Sequence, residues 1–598
     1  MNVNEKLIRV REQMELLGLD ALLVFSEDPH GSEYPANYWK FREFLTGFNG
    51  SAGVLLITRQ HVGLWTDSRY YIQAEKQLRG SFVELFKEGQ PNVPDYLSYI
   101  TYTLPSGSVV GVDGFTISYK TYTHLVNVLT QFGIRIRVKI KIIDDVFAPR
   151  EELPLNEVID VNFTETAGGQ TRQDKIAAVR KLMLKQNATH YIISALDDVA
   201  WLTNLRCNDV EYNPVFYAYM IVTQDEEHLY IDPHKLTTAI SRRLDEDNII
   251  VSLYDHFEKN LSNLPSDARV YFNPERLNVR DVMALPGNVI KIEGPSLVAQ
   301  LKCRKTATEI DYMRKAHVRD GVALTKFLCW LSDEINNNQR LTELDISKKI
   351  LALRQEQSNF IGESFETISA YGQNAALCHY APNIESNAQL KPEGFLLLDS
   401  GAQYTDGTTD ITRTIALGNL SDQQRRDYTL VLKGHISLAR VHFPYGTTGA
   451  QLDTMARKDM WRYNIDFGHG VGHGVGYCLN VHEGPQRISK TGGNAPFEIG
   501  MITSIEPGIY REGEYGIRIE NLTVCQPAGE SQFGQFLQLE TISCCPIDTR
   551  PIIPEMLSDN EIEWLNKYHD NVRATLSPYL SDAEKAWLEN ATKHISKG

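Results

Sequence analysis

Residues 396–414 read LLLDSGAQYTDGTTDITRT, and this stretch places two aspartates in an apolar setting. Asp399 directly follows three leucines, so we expect its carboxylate to be buried, which is costly unless the charge is neutralised or paired. The partner is either Arg413 or a metal cation. A DG turn signal between the aspartates predicts a hairpin. If the hairpin loop has an even number of residues, residues of opposite number parity face the same side, so Asp399 and Asp410 can converge on one ion.

A second pair of carboxylates follows the same rule. Glu506, in SIEPGIY (504–510), and Glu520, in RIENL (518–522), flank a turn centred on Gly513, so a hairpin there sets the glutamates opposite each other. Four inward carboxylates repel one another and raise each other's pKa unless one or two doubly charged ions neutralise them. One imidazole would complete the ligand count of a two-metal site.

His473 is the best candidate for that imidazole. It lies in the glycine-rich segment HGVGHGVGYCLNVHEGP (469–485). Glycines let backbone pass close to a site, although the segment by itself is equally consistent with a flexible loop. His435 and His442 lie outside these motifs and are expected on a helix surface.

These motifs, in this order and spacing, resemble the metallopeptidase family with the pita-bread fold, specifically the Xaa-Pro aminopeptidases (aminopeptidase P) in their long, three-domain form. Upstream, EFLTGFNGSAG (43–53) and LWTDSRYYIQAE (64–75) resemble that family's first domain. DDVAWLTNLRCNDVEYNPVF (197–216) resembles its second domain. The resemblance covers almost the whole chain and implies two creatinase-N-like α/β domains followed by a pita-bread domain.

The resemblance also implies the site residues. Five metal ligands are expected, and none is substituted: Asp399, Asp410, His473, Glu506 and Glu520. His379 and His482 would stabilise the developing oxyanion or move a proton, while His469 would shape the pocket for the proline ring. Arg518, two residues before Glu520 and so on the same strand face, would orient a carboxylate ligand. These three histidines and Arg518 are the predicted substrate-binding residues.

The activity that the resemblance implies is hydrolysis of the N-terminal Xaa-Pro bond of peptides. Two ions that share Asp410 and Glu520 would hold a bridging hydroxide as the nucleophile, and Glu506 would take up a proton. Oxygen-rich ligation favours Mn²⁺, with Zn²⁺ or Co²⁺ as alternatives. Two other functions compete: a prolidase-like Xaa-Pro dipeptidase and a non-catalytic pita-bread scaffold that binds peptide. The intact ligands argue against the scaffold, and two preceding α/β domains favour the aminopeptidase.

The periodicity along the chain predicts this organisation independently. Helices alternate with short strands twice before residue 300, and the proline-containing EELPLN at 151–156 interrupts the pattern. We therefore predict domains at 1–152, 153–296 and 297–598, the last with a helical tail from about 550. Its first feature is one long helical stretch from Leu297 to about Ile335.

Composition excludes several classes of protein. The 598 residues carry 60 Lys and Arg against 76 Asp and Glu, a net charge of -16, which argues against a nucleic-acid partner. The eight cysteines form no CxxC pair, and no apolar run is long enough for a signal peptide or a membrane span. We predict a reduced, cytoplasmic protein without a membrane partner. The family resemblance implies a homodimer, with peptides that carry proline at the second position as substrates.

Overall fold

The computed structural model describes residues 1–140, 142–148, 150–161, 169–337 and 339–598. The chain divides into two compact units: an N-terminal unit that ends at Ala299 and a C-terminal unit that runs from Gln300 to Gly598. Within the described ranges, no helix is long and apolar enough to cross a membrane.

The N-terminal unit begins with a six-stranded sheet. Its strands are β1 (Ala21–Val24), β2 (Val54–Thr58), β3 (Val62–Thr66), β4 (Glu84–Lys87), β5 (Val109–Val112) and β6 (Arg135–Arg137). The helices that accompany it are α1 (Val3–Leu16), α2 (Phe41–Thr46), α3 (Tyr71–Gln77), α4 (Tyr96–Thr103), α5 (Tyr119–Leu129) and α6 (Ile142–Val146). The central β1 is buried along its whole length, as its unbroken apolar run requires.

A second six-stranded sheet follows in the same unit. It contains β8 (His190–Ile193), β10 (Ala218–Thr223), β11 (Glu227–Ile231), β12 (Ile249–Ser252), β13 (Arg269–Phe272) and β14 (Ile290–Glu293), while β7 (Ile159–Asp160) and β9 (Leu205–Arg206) form a separate pair. The helices are α7 (Arg172–Lys185), α8 (Leu196–Thr203), α9 (Thr238–Glu246), α10 (Phe257–Ser262) and α11 (Val279–Ala284). A capping box between Thr171 and Asp174 starts α7.

The two sheets are structural repeats. Their strand orders, β4-β3-β2-β1-β5-β6 and β12-β11-β10-β8-β13-β14, place corresponding strands at corresponding positions. The pairings also agree: β1 and β8 each pair antiparallel on one side and parallel on the other. The sequence predicted two similar α/β layers, and the common topology confirms that similarity. The predicted domain boundaries stay predictions.

A buried polar cluster, the His30 cluster, joins the two repeats of the N-terminal unit. The imidazole of His30 hydrogen-bonds through Nδ1 to the Ser194 carbonyl at 2.7 Å and through Nε2 to the Tyr254 hydroxyl at 2.8 Å. Tyr217 donates to Asp28 Oδ2 at 3.0 Å, while the Asp28 Oδ1 atom accepts the His30 amide at 2.9 Å. Both nitrogens of the buried imidazole therefore have partners.

The C-terminal unit is α+β with several antiparallel sheets. Its helices are α12 (Leu297–Lys302), which begins at the unit boundary, α13 (Ala307–Asn336), α14 (Glu343–Gln355), α15 (Asp422–Ala439), α16 (Gly449–Trp461), α17 (Asp559–Leu576) and α18 (Asp582–Ala591). The smaller sheets contain β15 (Phe360–Glu363), β16 (Ile368–Tyr371), β17 (Phe395–Ser400), β18 (Ala402–Tyr404), β19 (Gly407–Thr408) and β20 (Ile411–Ala416). The predicted helical tail is present as α17 and α18.

The largest sheet of this unit has the order β21-β28-β27-β24-β22-β23. Its strands are β21 (His442–Pro444), β22 (Gly472–Gly474), β23 (Glu483–Ile488), β24 (Ile502–Ile505), β27 (Asn521–Ser531) and β28 (Gly534–Thr541), and the short pair β25 (Gly508–Arg511) and β26 (Tyr515–Arg518) extends from it. The site residues lie where these strands and the smaller sheets end.

The single long helix predicted from Leu297 is wrong. It is broken into α12 and α13 by the segment 303–306. Thr306 caps α13 in a capping box with Glu309, a signal that the sequence contains. Amphipathic periodicity continues across the break, so periodicity alone does not detect it.

Candidate metal centre

The two aspartates lie on neighbouring antiparallel strands. Asp399 is in β17 and is paired with Thr412 of β20, whereas Asp410 immediately precedes β20. Because 410 and 412 have the same parity, Asp410 lies diagonally across from Asp399 on the same face. Both aspartates are buried, at 7% and 4% exposure. Both side chains therefore lie on one face of the sheet, in agreement with the hairpin argument, and their convergence on an ion stays a prediction.

The two glutamates lie between two ladders of one long hairpin. The pairs Ile505↔Asn521 and Gly508↔Arg518 have the same register, so Glu506 and Glu520 face each other in the gap between the ladders. Thr412 donates through Oγ1 to Glu520 Oε2 at 2.7 Å, which joins this hairpin to β20. The hairpin predicted around Gly513 is thereby confirmed.

His473 points its imidazole at these carboxylates. Its Nε2 atom lies 3.4 Å from Asp410 Oδ2 and 3.5 Å from Glu506 Oε1. The Nδ1 atom donates to the Gly474 carbonyl at 2.9 Å, so a neutral ring presents the Nε2 lone pair to the carboxylates. Two lone-pair donors in contact require a proton or a cation between them. One ligand atom each from Asp410, His473 and Glu520 lies within 4.8 Å of the others.

The pKa values show how poorly these charges tolerate one another. Burial raises the pKa of Asp399, and the neighbouring Asp410 raises it further, although Arg518 opposes both. Burial raises the pKa of Glu506 to about 7 and that of Glu520 well above its usual range. Burial works against protonation of His473, but hydrogen bonding to Asp410 and the charge of Glu506 raise its pKa to about 9. A cation would reverse these shifts.

The donor set fits divalent metal ions. Among the described residues, Asp399 Oδ1 and Glu520 Oε1 are buried and have no hydrogen-bond partner. Buried polar atoms are nearly always paired, so each unpartnered oxygen requires a ligand that the protein itself does not provide. Four carboxylates with one imidazole are hard, oxygen-rich donors, which suit Mn²⁺ and related divalent ions.

Arg518 is the basic partner of this cluster. Its Nη2 atom donates to Asp399 Oδ2 at 2.5 Å, and Nη1 donates to the Tyr510 hydroxyl at 2.6 Å. Tyr510 in turn hydrogen-bonds to His469 Nε2 at 2.8 Å. The sequence prediction that Arg518 orients a carboxylate agrees with this contact. Tyr510 and Thr412 were missed, although Thr412 has the same strand parity as Asp410 and could have been found from that signal.

Arg413, the alternative partner for Asp399, is excluded by its contacts. It points to the other face of β20, where Nη2 donates to the Cys545 carbonyl at 2.7 Å and Nε donates to the Pro546 carbonyl at 2.9 Å. Alternation along the strand places residue 413 opposite 412 and 410. The parity argument that placed the aspartates therefore also rules out Arg413.

The other histidines considered in the sequence lie in different surroundings. The rings of His482 and His473 are 4.4 Å apart at an interplanar angle of 89°. His379 is half-buried in a turn after β16, next to Cys378. His435, expected on a surface, is instead fully buried and holds the Ile505 carbonyl at 3.1 Å.

His442, also expected on a helix, lies exposed on β21. None of the eight cysteines, all of which are described residues, forms a disulfide.

This geometry defines a candidate dinuclear metal centre, and comparison with known proteins identifies the family. The model of metallopeptidase family M24 matches residues 311–527, and that of its C-terminal region matches residues 535–595. Two models of the creatinase/prolidase N-terminal domain match residues 6–134 and 149–309.

Full-length relatives support the same assignment. Aminopeptidase P2 of Arabidopsis thaliana is 36% identical over 633 residues, covering 100% of this chain and 89% of the relative. A probable Xaa-Pro aminopeptidase P of Paracoccidioides brasiliensis is 37% identical, with 100% of both chains covered. The chain therefore belongs to metallopeptidase family M24 and combines creatinase N-terminal domains with the pita-bread domain.

A solved structure agrees over the whole length. The X-prolyl aminopeptidase of Caenorhabditis elegans, described as a cytosolic enzyme with a di-nuclear active site, has a TM-score of 0.95 and 34% identity, and 100% of both chains is covered. The neighbour's dinuclear site and the family together imply two metal ions here.

Proposed function

We propose that this chain is a metal-dependent aminopeptidase that hydrolyses the N-terminal Xaa-Pro bond of peptides. The observation that carries this proposal is that Asp410, Glu506 and Glu520 surround the His473 imidazole. Asp399 lies on the same strand face as Asp410, and Asp399 Oδ1 and Glu520 Oε1 are unpartnered among the described residues. The names of the full-length relatives support the substrate class. The two α/β repeats favour the long aminopeptidase over a dipeptidase of the prolidase type.

Five residues would hold two divalent ions. In this assignment Asp410 and Glu520 would be ligands to both ions, Asp399 would be a ligand to one, and His473 with Glu506 would be ligands to the other. Mn²⁺ is the proposed metal because the donors are mostly oxygen. When bound, two such ions lower the pKa of a coordinated water and polarise the scissile carbonyl.

The protein's own residues position the substrate and move protons. Glu506 would accept a proton from the attacking water, as a carboxylate at that position can. The proline nitrogen must gain a proton to leave, and His379 and His482 supply it and stabilise the oxyanion. His469 lines the pocket for the proline ring. Arg518 holds Asp399 in place.

The substrate proposal is tested with three peptides offered side by side: an Xaa-Pro-Xaa tripeptide, an Xaa-Ala-Xaa control and an Xaa-Pro dipeptide. An Xaa-Pro-Xaa tripeptide should be cleaved to release its first residue, whereas an Xaa-Ala-Xaa control should be cleaved at least about 100-fold more slowly, since the pocket lacks the fit for it. Strict preference for the Xaa-Pro dipeptide would instead establish the dipeptidase. If none of the three peptides were cleaved, the non-catalytic peptide-binding scaffold would be the function that fits.

The metal proposal is tested on protein purified without added ions. Elemental analysis should find about two divalent ions per chain, with manganese restoring the highest activity to metal-free protein. A stoichiometry of one, or full activity of verified metal-free protein, would contradict the dinuclear assignment.

We also propose that the protein is a cytoplasmic homodimer. The free cysteines agree with a reducing compartment, and the C. elegans neighbour is described as cytosolic. Light scattering coupled to gel filtration should give twice the mass of one 67.8 kDa chain. A monomeric mass across the micromolar range would contradict the dimer.

A further inference from the structure

A buried ion triad lies beside the candidate metal centre. Glu483 directly follows His482, and its carboxylate is held by two lysines: Lys302 Nζ is 3.0 Å from Oε2, and Lys305 Nζ contacts Oε1. All three side chains are only 1 to 2% exposed. Three desolvated charges are costly, and apolar residues of similar size are often as stabilising in such places. Stability alone therefore does not account for the triad, and the proposed chemistry uses none of its members.

The backbone of Glu483 is connected to both histidines of the centre, to His482 directly and to His473 through Gly474. Along the chain it is bonded to His482, and across the sheet it pairs with Gly474, the residue after His473. The approach is so close that a Cβ on Gly474 would lie 2.4 Å from the Glu483 carbonyl oxygen. The Gly474 carbonyl also accepts the His473 Nδ1 proton at 2.9 Å. Glu483 is therefore the residue that ties His482 to the strand carrying His473.

The lysines provide a firm anchor for this carboxylate. Lys302 is the last residue of α12, and Lys305 precedes Thr306, the cap of α13. The Lys305 amide donates to the Gly500 carbonyl at 3.0 Å. Lys302 and Lys305 thus flank the break between α12 and α13, and both ammonium groups contact Glu483 at the start of β23.

We propose that Glu483, clamped by Lys302 and Lys305, is a positioning residue that fixes His482 at its angle and distance from His473. This inference rests on the proposed function. The two rings lie 4.4 Å apart at 89°, and displacement by about 1 Å is enough to cost about 10²-fold in rate. This role explains why three charges are kept in a buried place. Two salt bridges define the position of the Glu483 carboxylate, whereas apolar side chains would fill the same volume without defining that position.

The first experiment removes all three charges while keeping side-chain size. The variant Lys302→Met/Glu483→Gln/Lys305→Met should retain two bound metal ions and a Tm within about 3 °C of wild type, because no buried charge is left unpaired. Its kcat on the tripeptide should fall about 10- to 100-fold, with a smaller change in KM. A kcat within twofold of wild type would overturn the inference.

A matched control removes another Lys–Glu pair of the same unit. Lys433 and Glu561 join α15 to α17 at 2.9 Å, remote in sequence from His482, and their side chains are 14% and 13% exposed. Lys433→Met/Glu561→Gln should leave kcat unchanged. An equal loss of kcat in the control would attribute the effect to general weakening of the unit and would overturn the inference.

A double-mutant cycle tests whether the triad acts through His482. His482→Ala should lower kcat, and the charge-free triple change should then cost no more than about twofold in addition, because the group that it positions is gone. A full 10- to 100-fold loss in the His482→Ala background would overturn the inference. Full activity of His482→Ala itself would do the same.

A second readout does not depend on activity. In metal-free protein, hydrogen exchange of peptides covering 470–490 should be faster in the charge-free variant than in wild type, with no change in the control variant. Unchanged exchange would overturn the inference. If wild type cleaved no Xaa-Pro peptide, the proposed function would fail separately, and this exchange measurement would still decide whether the triad orders the segment.

Discussion

The His30 cluster of the N-terminal unit and the carboxylate cluster of the C-terminal unit are both buried and titratable, but they differ in completeness. Both ring nitrogens of His30 have hydrogen-bond partners, and so do both oxygens of Asp28. In the carboxylate cluster, Asp399 Oδ1 and Glu520 Oε1 have no partner among the described residues. Burial and ionisable chemistry are thus common to both clusters.

This difference separates a buried polar cluster that stabilises packing from one that binds a ligand. A cluster that satisfies its own hydrogen bonds serves packing, because nothing is left over for a ligand. A cluster with unpartnered oxygens, in which the neighbouring carboxylates raise one another's pKa, is instead suited to bind an outside cation. The following predictions test this distinction, in order of decreasing effect.

Metal removal should produce the largest effect, and it should destabilise the C-terminal unit without changing the N-terminal unit. We expect chelator-treated protein to lose all measurable Xaa-Pro cleavage, since no water is activated. The C-terminal unit should also lose stability, by about 4 kcal/mol relative to protein at an ion concentration of 1,000 Kd. Hydrogen exchange of peptides around Asp410 and Glu520 measures that loss, whereas peptides around His30 should be unchanged. Equal loss in both units would contradict the comparison.

Glu520→Gln should abolish function without unfolding the protein. Removing a shared metal ligand should lower kcat/KM by about 10³-fold or more, equivalent to about 4 kcal/mol of transition-state stabilisation. In metal-free protein, the same change should leave the free energy of unfolding equal or higher, because one of the mutually repelling buried acids is gone. Denaturation of the metal-free proteins checks this. The exposed Glu540→Gln is the control and should leave both quantities unchanged.

His30→Ala should have the opposite profile. The change creates a cavity and removes the hydrogen bonds of His30 to the Ser194 carbonyl and the Tyr254 hydroxyl, so the free energy of unfolding of the N-terminal unit should fall by about 2–4 kcal/mol. The kcat for a tripeptide should stay within twofold of wild type. His124→Ala, at an exposed position on α5, is the stability control. A kcat loss comparable to that of Glu520→Gln would refute the distinction.

The smallest effect is a difference in pH dependence between wild type and His30→Gln. Burial lowers the pKa of His30 below its usual 6.5, so the unfolded chain binds more protons once the pH falls below that value. Wild type should then lose stability relative to His30→Gln by at most about 1.4 kcal/mol per pH unit. Burial also raises the pKa of Asp281 to about 7, which acts in the opposite direction but is common to both proteins. Urea denaturation at pH 7 and pH 5 measures the difference, and parallel profiles would contradict it.

The strand-based part of the site could be predicted from the sequence because side-chain direction alternates strictly along a strand. Side-chain alternation, counted from each turn, predicts that Asp399 and Asp410 share a face and that Glu506 and Glu520 lie opposite each other, and the ladders agree with both. The same rule excludes Arg413, which we had kept as a possible partner.

Other features depend on tertiary contacts that a single sequence does not encode locally. His435 lies on an amphipathic helix, and only the packing of α15 against the sheet shows that its face is buried. The break between α12 and α13 follows from a capping box and from the docking of Lys305 against Gly500. Hydrophobic periodicity is unaffected by either of these, so it predicted one continuous helix.

The glutamate hairpin carries a consequence for how such chains vary in length. Its two ladders share one register on both sides of Glu506 and Glu520, and the turn at Gly513 closes it. A single inserted or deleted residue in one arm would turn that arm's glutamate to the opposite face. The hairpin can therefore lengthen or shorten only if each arm changes by the same number of residues. The number of residues between the two glutamates should accordingly change in steps of two.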